Sequence, residues 1–294
     1  MYLSYSGFKL YQQCPRQYWH RYIGKTQPPK PDNRVNMLFG SAVGTVFEAF
    51  YNDKLWNKPN PYDACMALVE PTVARIMKEE GRKGLFNWGD PKANYHSLDD
   101  MLDAVREAIP NGLSIIKQHR LLGPMAQAEV KLDSKYDGHL LGGRADFIIK
   151  RTAPHHDLII LDGKGSRHRE KYVDGMQLRW YAMLYQMTFN ALPDKLGFVF
   201  WRWPPGKALD WEPFTPEGLT DLAKTAVKGI STIETGVNLL KGANPVGTGV
   251  FSAIPERMQC QLCSFAIFCP ESGIAAPMTS VSGVLGVQDV GFDS

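Results

Sequence analysis

The chain has 294 residues, 44% of them hydrophobic, which allows a sizeable core in one large domain with insertions or in two small domains. Its formal net charge of +3 permits contact with a polyanion but excludes the strongly basic, tail-driven mode of nucleic-acid binding. The opening residues Met1 to Gly7 lack a basic region followed by an apolar run, and no stretch of about 18 uninterrupted apolar residues occurs, so a secretory signal and a membrane span are both absent from the expectation and the protein reads as cytoplasmic.

In chain order, the first half reads as helical. A short segment from Ser6 to Gln13 is interrupted at Cys14-Pro15, and Pro15 opens a second piece through Tyr22. Residues 32–36 are loop-like. Met37 to Tyr51, Pro61 to Met77 (despite Pro71) and Ser97 to Gln118 then carry apolar residues at helical spacing. The pattern changes near Ala126: Gln127 to Asp133 and His139 to Lys150 alternate like strands around a Tyr136-Asp137-Gly138 turn, and Asp157 to Leu161 suits a buried strand. A helix from Val173 to Phe189, an aromatic strand from Leu196 to Trp203 and a helix from Pro216 to Glu234 follow. The resulting division is a helical region over 1–124, an α/β core over 125–236, a cysteine-bearing segment over 237–270 and a patternless tail over 271–294.

Two of the apolar strands carry carboxylates where burial is costly. Gly143-Arg144-Ala145-Asp146 lies on one, and Leu161-Asp162-Gly163-Lys164 ends the next. A buried, unpaired carboxylate raises its pKa and loses its charge, so two of them call for a cation. Magnesium and manganese take oxygen ligands and suit the pair. Lys164, two residues after Asp162, points to the same face of a strand. For any one of these residues a strand end or turn cap is the ordinary explanation; their joint order, followed by a helix containing Gln177 and Tyr181 four residues apart, argues for a site.

On these motifs the sequence resembles the RecB-like branch of the PD-(D/E)XK nucleases, which includes CRISPR-associated spacer-acquisition nucleases and AddB-type exonucleases. Gly143 to Asp146 is similar to the family's Gly-x-x-Asp motif, Asp162-Gly163-Lys164 to (Asp/Glu)-x-Lys, and Gln177 with Tyr181 to Gln-x-x-x-Tyr. The resemblance implies an α/β, restriction-endonuclease-like fold, a mixed sheet flanked by helices. It implies metal ligation by Asp146, Asp162 and the carbonyl of Gly163, a catalytic Lys164, and substrate positioning by Gln177 and Tyr181. Glu129, on the preceding strand, falls where relatives often place another acid, and Glu48 holds the position of the acidic residue in an amino-terminal helix motif. There the sequence departs: many relatives have a metal-binding histidine where this chain has Gly44. The implied activity is divalent-metal-dependent DNA hydrolysis, exonucleolytic on single strands or duplex ends, in recombination, repair, replication or spacer capture, in a prokaryotic or phage-infected cell and alongside other recombination or replication proteins. The rival reading is a catalytically silent DNA-binding or assembly subunit.

Five cysteines are present, three of them crowded as Cys260-x2-Cys263-x5-Cys269. That spacing suits zinc and iron-sulfur sites alike, and Cys14 is the candidate fourth ligand. The same resemblance implies a 4Fe-4S cluster on Cys14, Cys260, Cys263 and Cys269, whereas Cys65, in a helical stretch, reads as a small buried hydrophobe. Arg167, His168, Arg169 and Lys171 form a basic segment after the Asp-x-Lys strand, suited to neighbouring phosphates. Trp201, Arg202 and Trp203 alternate on a strand and offer a base-stacking platform, although core packing is the better reading.

Overall fold

The computed structural model describes residues 1–28, 32–81, 84–151, 154–169 and 173–274. The chain opens with strand β1 (Tyr2–Ser4), helix α1 (Tyr5–Gln13) and a short helix α2 (Pro15–Tyr18) that runs on into a π-helical turn over Trp19–Ile23. A two-residue strand β2 (Asp32–Asn33) pairs with β3 (Gly84–Leu85), enclosing helices α3 (Val35–Asn52), α4 (Pro61–Met66) and α5 (Val69–Glu80). Helix α6 (Leu98–Gln118) starts at Ser97, whose hydroxyl accepts from the Asp100 amide. Then come β4 (Gln127–Tyr136), β5 (His139–Lys150), β6 (Leu158–Lys164), α7 (Gly175–Phe189), β7 (Lys195–Phe200), β8 (Leu209–Glu212), α8 (Leu219–Leu240) and α9 (Arg257–Leu262).

Six strands form one mixed sheet in the order β1-β5-β6-β7-β8, with β4 also paired to β5. At twelve residues, β5 is long enough to pair with β4 along one edge and to share its other edge between β1 near Leu141 and β6 beyond Phe147. Alternation then sends side chains to two cores. Phe147, Ile149, Ile159 and Leu161 pack beneath α3, α5 and α6, while Ile148, Ile160, Phe198 and Phe200 pack with residues of α1, α7 and α8. Because both faces are covered, β6 reads as a continuous apolar run rather than an alternating one. The architecture is the expected mixed sheet flanked by helices.

Several boundaries differ from the sequence reading, each for a local reason. Pro71 sits in the first turn of α5, where its missing N–H is harmless, so the expected single helix is two. The aromatic strand ends at Phe200, because Asn111 on α6 donates to the carbonyls of Trp201 (2.7 Å) and Trp203 (2.8 Å) and takes the chain into a turn. Strand β1 is too short to carry a pattern, yet it brings the amino terminus into the sheet. The tail is described only as far as residue 274. Among the described residues no helix is long and apolar enough to cross a membrane.

Candidate active site

The acids expected to form a site lie in one row across three neighbouring strands. The β5–β6 register pairs Phe147 with Leu161, and one residue further along it sets Asp146 opposite Asp162. The β4–β5 register likewise pairs Ala128 with Phe147 and Val130 with Ala145, which sets Glu129 opposite Asp146. Glu129 has a left-handed backbone (φ 54°) inside a strand, an uncommon state for a residue with a Cβ. The sheet is therefore locally distorted where its carboxylates gather.

Hydrogen bonds hold the row. The Gly163 amide donates to Asp146 Oδ2 at 2.7 Å. A Cβ at Gly163 would come within 2.9 Å of the Trp201 indole nitrogen, so the residue between Asp162 and Lys164 must be small. Gln177 on α7 donates through Nε2 to Asp162 Oδ1 (2.7 Å) and to the Tyr181 hydroxyl (3.0 Å). The Tyr181 ring lies against Gly143, where a Cβ would stand 3.1 Å from it; the Gly-x-x-Asp glycine thus allows α7 to approach β5. The Lys164 ammonium forms an ion pair with Asp162 Oδ2, an atom otherwise without a hydrogen bond of normal geometry.

The electrostatics follow from crowding acids in a buried place. Burial and then the neighbouring Asp162 carboxylate push Asp146 well above the usual carboxylate range, against the Gly163 amide bond. Burial also raises Asp162, which is only 2% exposed, although Lys164 opposes the shift. Glu129 is raised by burial and then by Glu48, which reaches the site from α3. A cavity of about 370 Å³ is lined by Gly44, Glu48, Glu129, Arg144, Asp146 and Gly163. These carboxylates repel one another and accept hydrogen bonds, the donor set a hard divalent cation takes. Among the described residues, no three metal-ligating side chains already stand together at single-ion spacing.

The basic segment divides. Arg167 and His168 join Lys164 and Arg202 along a groove of about 950 Å³ that opens beside Gly163. Arg169 is instead packed over Trp203 (4.6 Å), paired with Asp210 (3.8 Å) and bonded to the Lys207 carbonyl, which holds it against the protein rather than along that groove. Lys171 lies outside the described residues. Trp201 is core, stacked 4.3 Å from Phe47. Arg202 lies over Phe39 at 4.4 Å and near Tyr95 at 5.7 Å.

Two groups escaped the sequence reading. Asp174, just before α7, accepts from the Tyr5 hydroxyl and from Lys9, each at 2.6 Å, which anchors α1 at the start of the helix carrying Gln177. Burial raises its pKa, but those two bonds, the Lys9 charge and the Met176 amide together outweigh it and hold the group below the carboxylate norm. An Asp before a helix was a visible cap signal, but its partners are distant in sequence. The second is Arg16 with His20, which line the cavity that the expected Cys14, Cys260, Cys263 and Cys269 share, while Cys65 is buried in the core beneath α3, as its reading implied.

A family model for the PD-(D/E)XK nuclease superfamily matches residues 2–270. The chain belongs to that superfamily. It is a nuclease of the class that hydrolyses phosphodiesters with divalent metals such as magnesium or manganese. Among solved structures, the chain is similar to one described as "SSO0001", with 18% identity, 68% of this chain and 80% of the other covered, and a TM-score of 0.30. It is also similar to a "putative exonuclease" from Eubacterium rectale, with 11% identity, 80% and 82% covered, and a TM-score of 0.44. No curated protein matches it.

Proposed function

We propose that this superfamily member is a deoxyribonuclease of the RecB-like, AddB-like branch, acting exonucleolytically on single-stranded DNA or duplex ends in recombination, repair, replication or spacer capture. The observation that carries the reading is the row of mutually repelling carboxylates, Asp162 buried and Asp146 and Glu129 half-buried, beside Lys164 at the mouth of the groove. Asp146, Asp162 and the Gly163 carbonyl are the proposed ligands of magnesium or manganese, with Glu129 and Glu48 reaching the same ion directly or through water. When bound, the ion supplies a Lewis acid and lowers the pKa of a water that attacks phosphorus.

The protein's own groups do the rest. Lys164 holds a positive charge next to Asp162, where it can orient the attacking water or neutralise charge developing on the phosphate. Gln177 fixes the Asp162 carboxylate by its bond to Oδ1, and Tyr181 fixes Gln177. Arg167 and Arg202, on the groove, meet neighbouring phosphates or bases of the strand.

The four cysteines are the proposed ligands of a 4Fe-4S cluster, with zinc as the competitor, and the centre ties α2 to the segment around α9. Its support is that four thiols from opposite ends of the sequence share one cavity.

The test is cleavage of end-labelled single-stranded and duplex DNA with manganese or magnesium by anaerobically purified wild type, Asp162→Ala and Lys164→Ala. Metal-dependent cleavage that both variants lose supports the site. DNA binding without any cleavage transfers the reading to a silent DNA-binding subunit, which the missing side chain at Gly44 favours.

A further inference from the structure

The cysteine cavity has two further walls whose chemistry is unspent. Arg16 is 2% exposed; its Nε donates to the Phe251 carbonyl (2.9 Å), and one terminal nitrogen to the Pro245 carbonyl (3.3 Å), with the Glu271 carboxylate 3.6 Å from that nitrogen. Its other terminal nitrogen, Nη1, is buried without a partner. His20 is also 2% exposed, stacked on Phe265 at 5.3 Å with an interplanar angle of 12°. Its Nδ1 lies 3.0 Å from the Thr26 hydroxyl, and its Nε2 is buried without a partner. Both side chains line the cavity that the four cysteines line.

A buried donor without an acceptor destabilises the fold, and more so when it is charged. A guanidinium can only donate, so no rearrangement of protons satisfies Nη1 without an acceptor. With the Thr26 hydroxyl donating to Nδ1, Nε2 carries the hydrogen and is a second donor. Nη1, and in this tautomer Nε2 as well, are thus donors that call for acceptors inside the cavity. Thiolate sulfur is such an acceptor, and four thiolates outweigh the charge of either a zinc ion or an iron-sulfur core, so the centre they bind is an anion.

We propose that Arg16 and His20 donate hydrogen bonds from Nη1 and Nε2 to sulfur atoms of this thiolate-ligated centre, retaining it and setting its electronic properties. The inference rests on the cysteine ligation proposed above. Hydrogen bonds to sulfur and the net charge nearby are levers on the potential of an iron-sulfur cluster, and outer partners of metal ligands govern how firmly the metal is held.

The experiment compares wild type, His20→Phe, His20→Gln and Arg16→Lys, purified anaerobically. Iron, labile sulfide and zinc are quantified first, then the rate of metal loss to a chelator and, where iron is found, the midpoint potential. Phenylalanine keeps the stacking on Phe265 and removes the donor; glutamine returns an amide N–H near the Nε2 position. His20→Phe is expected to lose metal about fivefold faster, the equivalent of one hydrogen bond of about 1 kcal/mol. In an iron-sulfur protein its potential becomes more negative, and His20→Gln recovers part of both changes. Arg16→Lys keeps the charge but loses the fork of donors, and is expected to shift both in the same direction; a wild-type release rate there removes Arg16 from the proposal. Wild-type release and potential in His20→Phe overturn the role of His20. Absence of both metals from the wild type overturns the cysteine ligation and this inference with it, whereas zinc in place of iron overturns only the cluster and leaves the release rates to decide.

Discussion

The acid row and the cysteine cavity are built by opposite means. The row is fixed by strand register: β4, β5 and β6 are neighbours in sequence and in the sheet, and the paired residues flanking each carboxylate set its place even where the ladder itself is interrupted. The cavity joins α2, a helix of four residues, to α9, one of six, from opposite ends of the sequence. Short helices have little propensity of their own to persist. The row therefore stores unfavourable charge in a scaffold that would stand without a metal, while the cavity gathers ligands whose closure depends on one.

The most severe break of that comparison is Asp146→Asn. Cleavage is expected to fall about a thousandfold or more, since a ligand and its charge are both removed. Stability is expected to move the other way. Burial and Asp162 raise the folded-state pKa of Asp146, so the metal-free fold binds more protons than the unfolded chain as pH rises above the unfolded value near 4. Its contribution is present in acid and lost as pH rises through the folded pKa. The metal-free variant should thus melt above metal-free wild type at neutral pH, by about 2–4 °C for each kcal/mol relieved, with the gap closing toward pH 4. Manganese should reverse the order by stabilising only the wild type. Thermal scans across pH, with and without the ion, decide it; a variant that melts lower at pH 7 without metal would mean the row is not under charge strain.

Cys14→Ser should do the converse. Opening a bridge that closes so long a loop costs on the order of 5 kcal/mol by the chain-entropy argument, a fall of roughly 10 °C or more in Tm. Below that temperature, metal-dependent cleavage should stay within a few-fold of wild type because the row stands on the sheet. Loss of all cleavage in a variant whose sheet remains folded would show that the cavity shapes the substrate path rather than only tying the ends.

The acid row was legible in sequence because register translates spacing into geometry. Asp162 and Lys164 alternate to one face, Gln177 and Tyr181 share a helical face, and an acid inside an apolar run announces itself. Glu129 was readable as an acid on the right strand, but its left-handed backbone was not, since nothing in Ala128-Glu129-Val130 requires it. The packing of Arg169 was not legible because a charge run carries no direction: Trp203 and Asp210, which draw it inward, are far along the chain. Arg16 and His20 stand in a basic-aromatic stretch that carries no burial signal, and only tertiary packing reveals them as buried. Strand β1 was missed for its length, too short for any period to show.

A smaller effect sharpens the geometry of the row without disturbing it. Gln177→Ala removes the bond to Asp162 Oδ1 but no ligand, and support of this kind is worth about 10–100-fold in affinity or activity. The expected loss is of that order in kcat, with the melting temperature lowered by only a few degrees through the unpaired Asp162 Oδ1. Tyr181→Phe should cost less, as Gln177 keeps its stronger bond at 2.7 Å. A Tyr181 variant worse than the Gln177 variant would assign the hydroxyl a direct contact with substrate.

The mildest change tests where the ion sits. Gly44 lies on α3 one turn before Glu48, lines the cavity beside Glu129 and Asp146, and has nothing within 4 Å of the position its Cβ would take. A glycine inside a helix costs about 1 kcal/mol relative to alanine, so Gly44→Ala should stabilise the fold slightly and leave metal binding alone. Gly44→His adds an imidazole over the same cavity, a ligand manganese accepts, and is expected to tighten manganese binding roughly tenfold, equivalent to about 1.4 kcal/mol. Titration calorimetry of both variants separates the helix from the ligand. Equal manganese affinity in the alanine and histidine variants would mean that the ion is held on the Lys164 side of Asp162, away from the cavity that Gly44 leaves open.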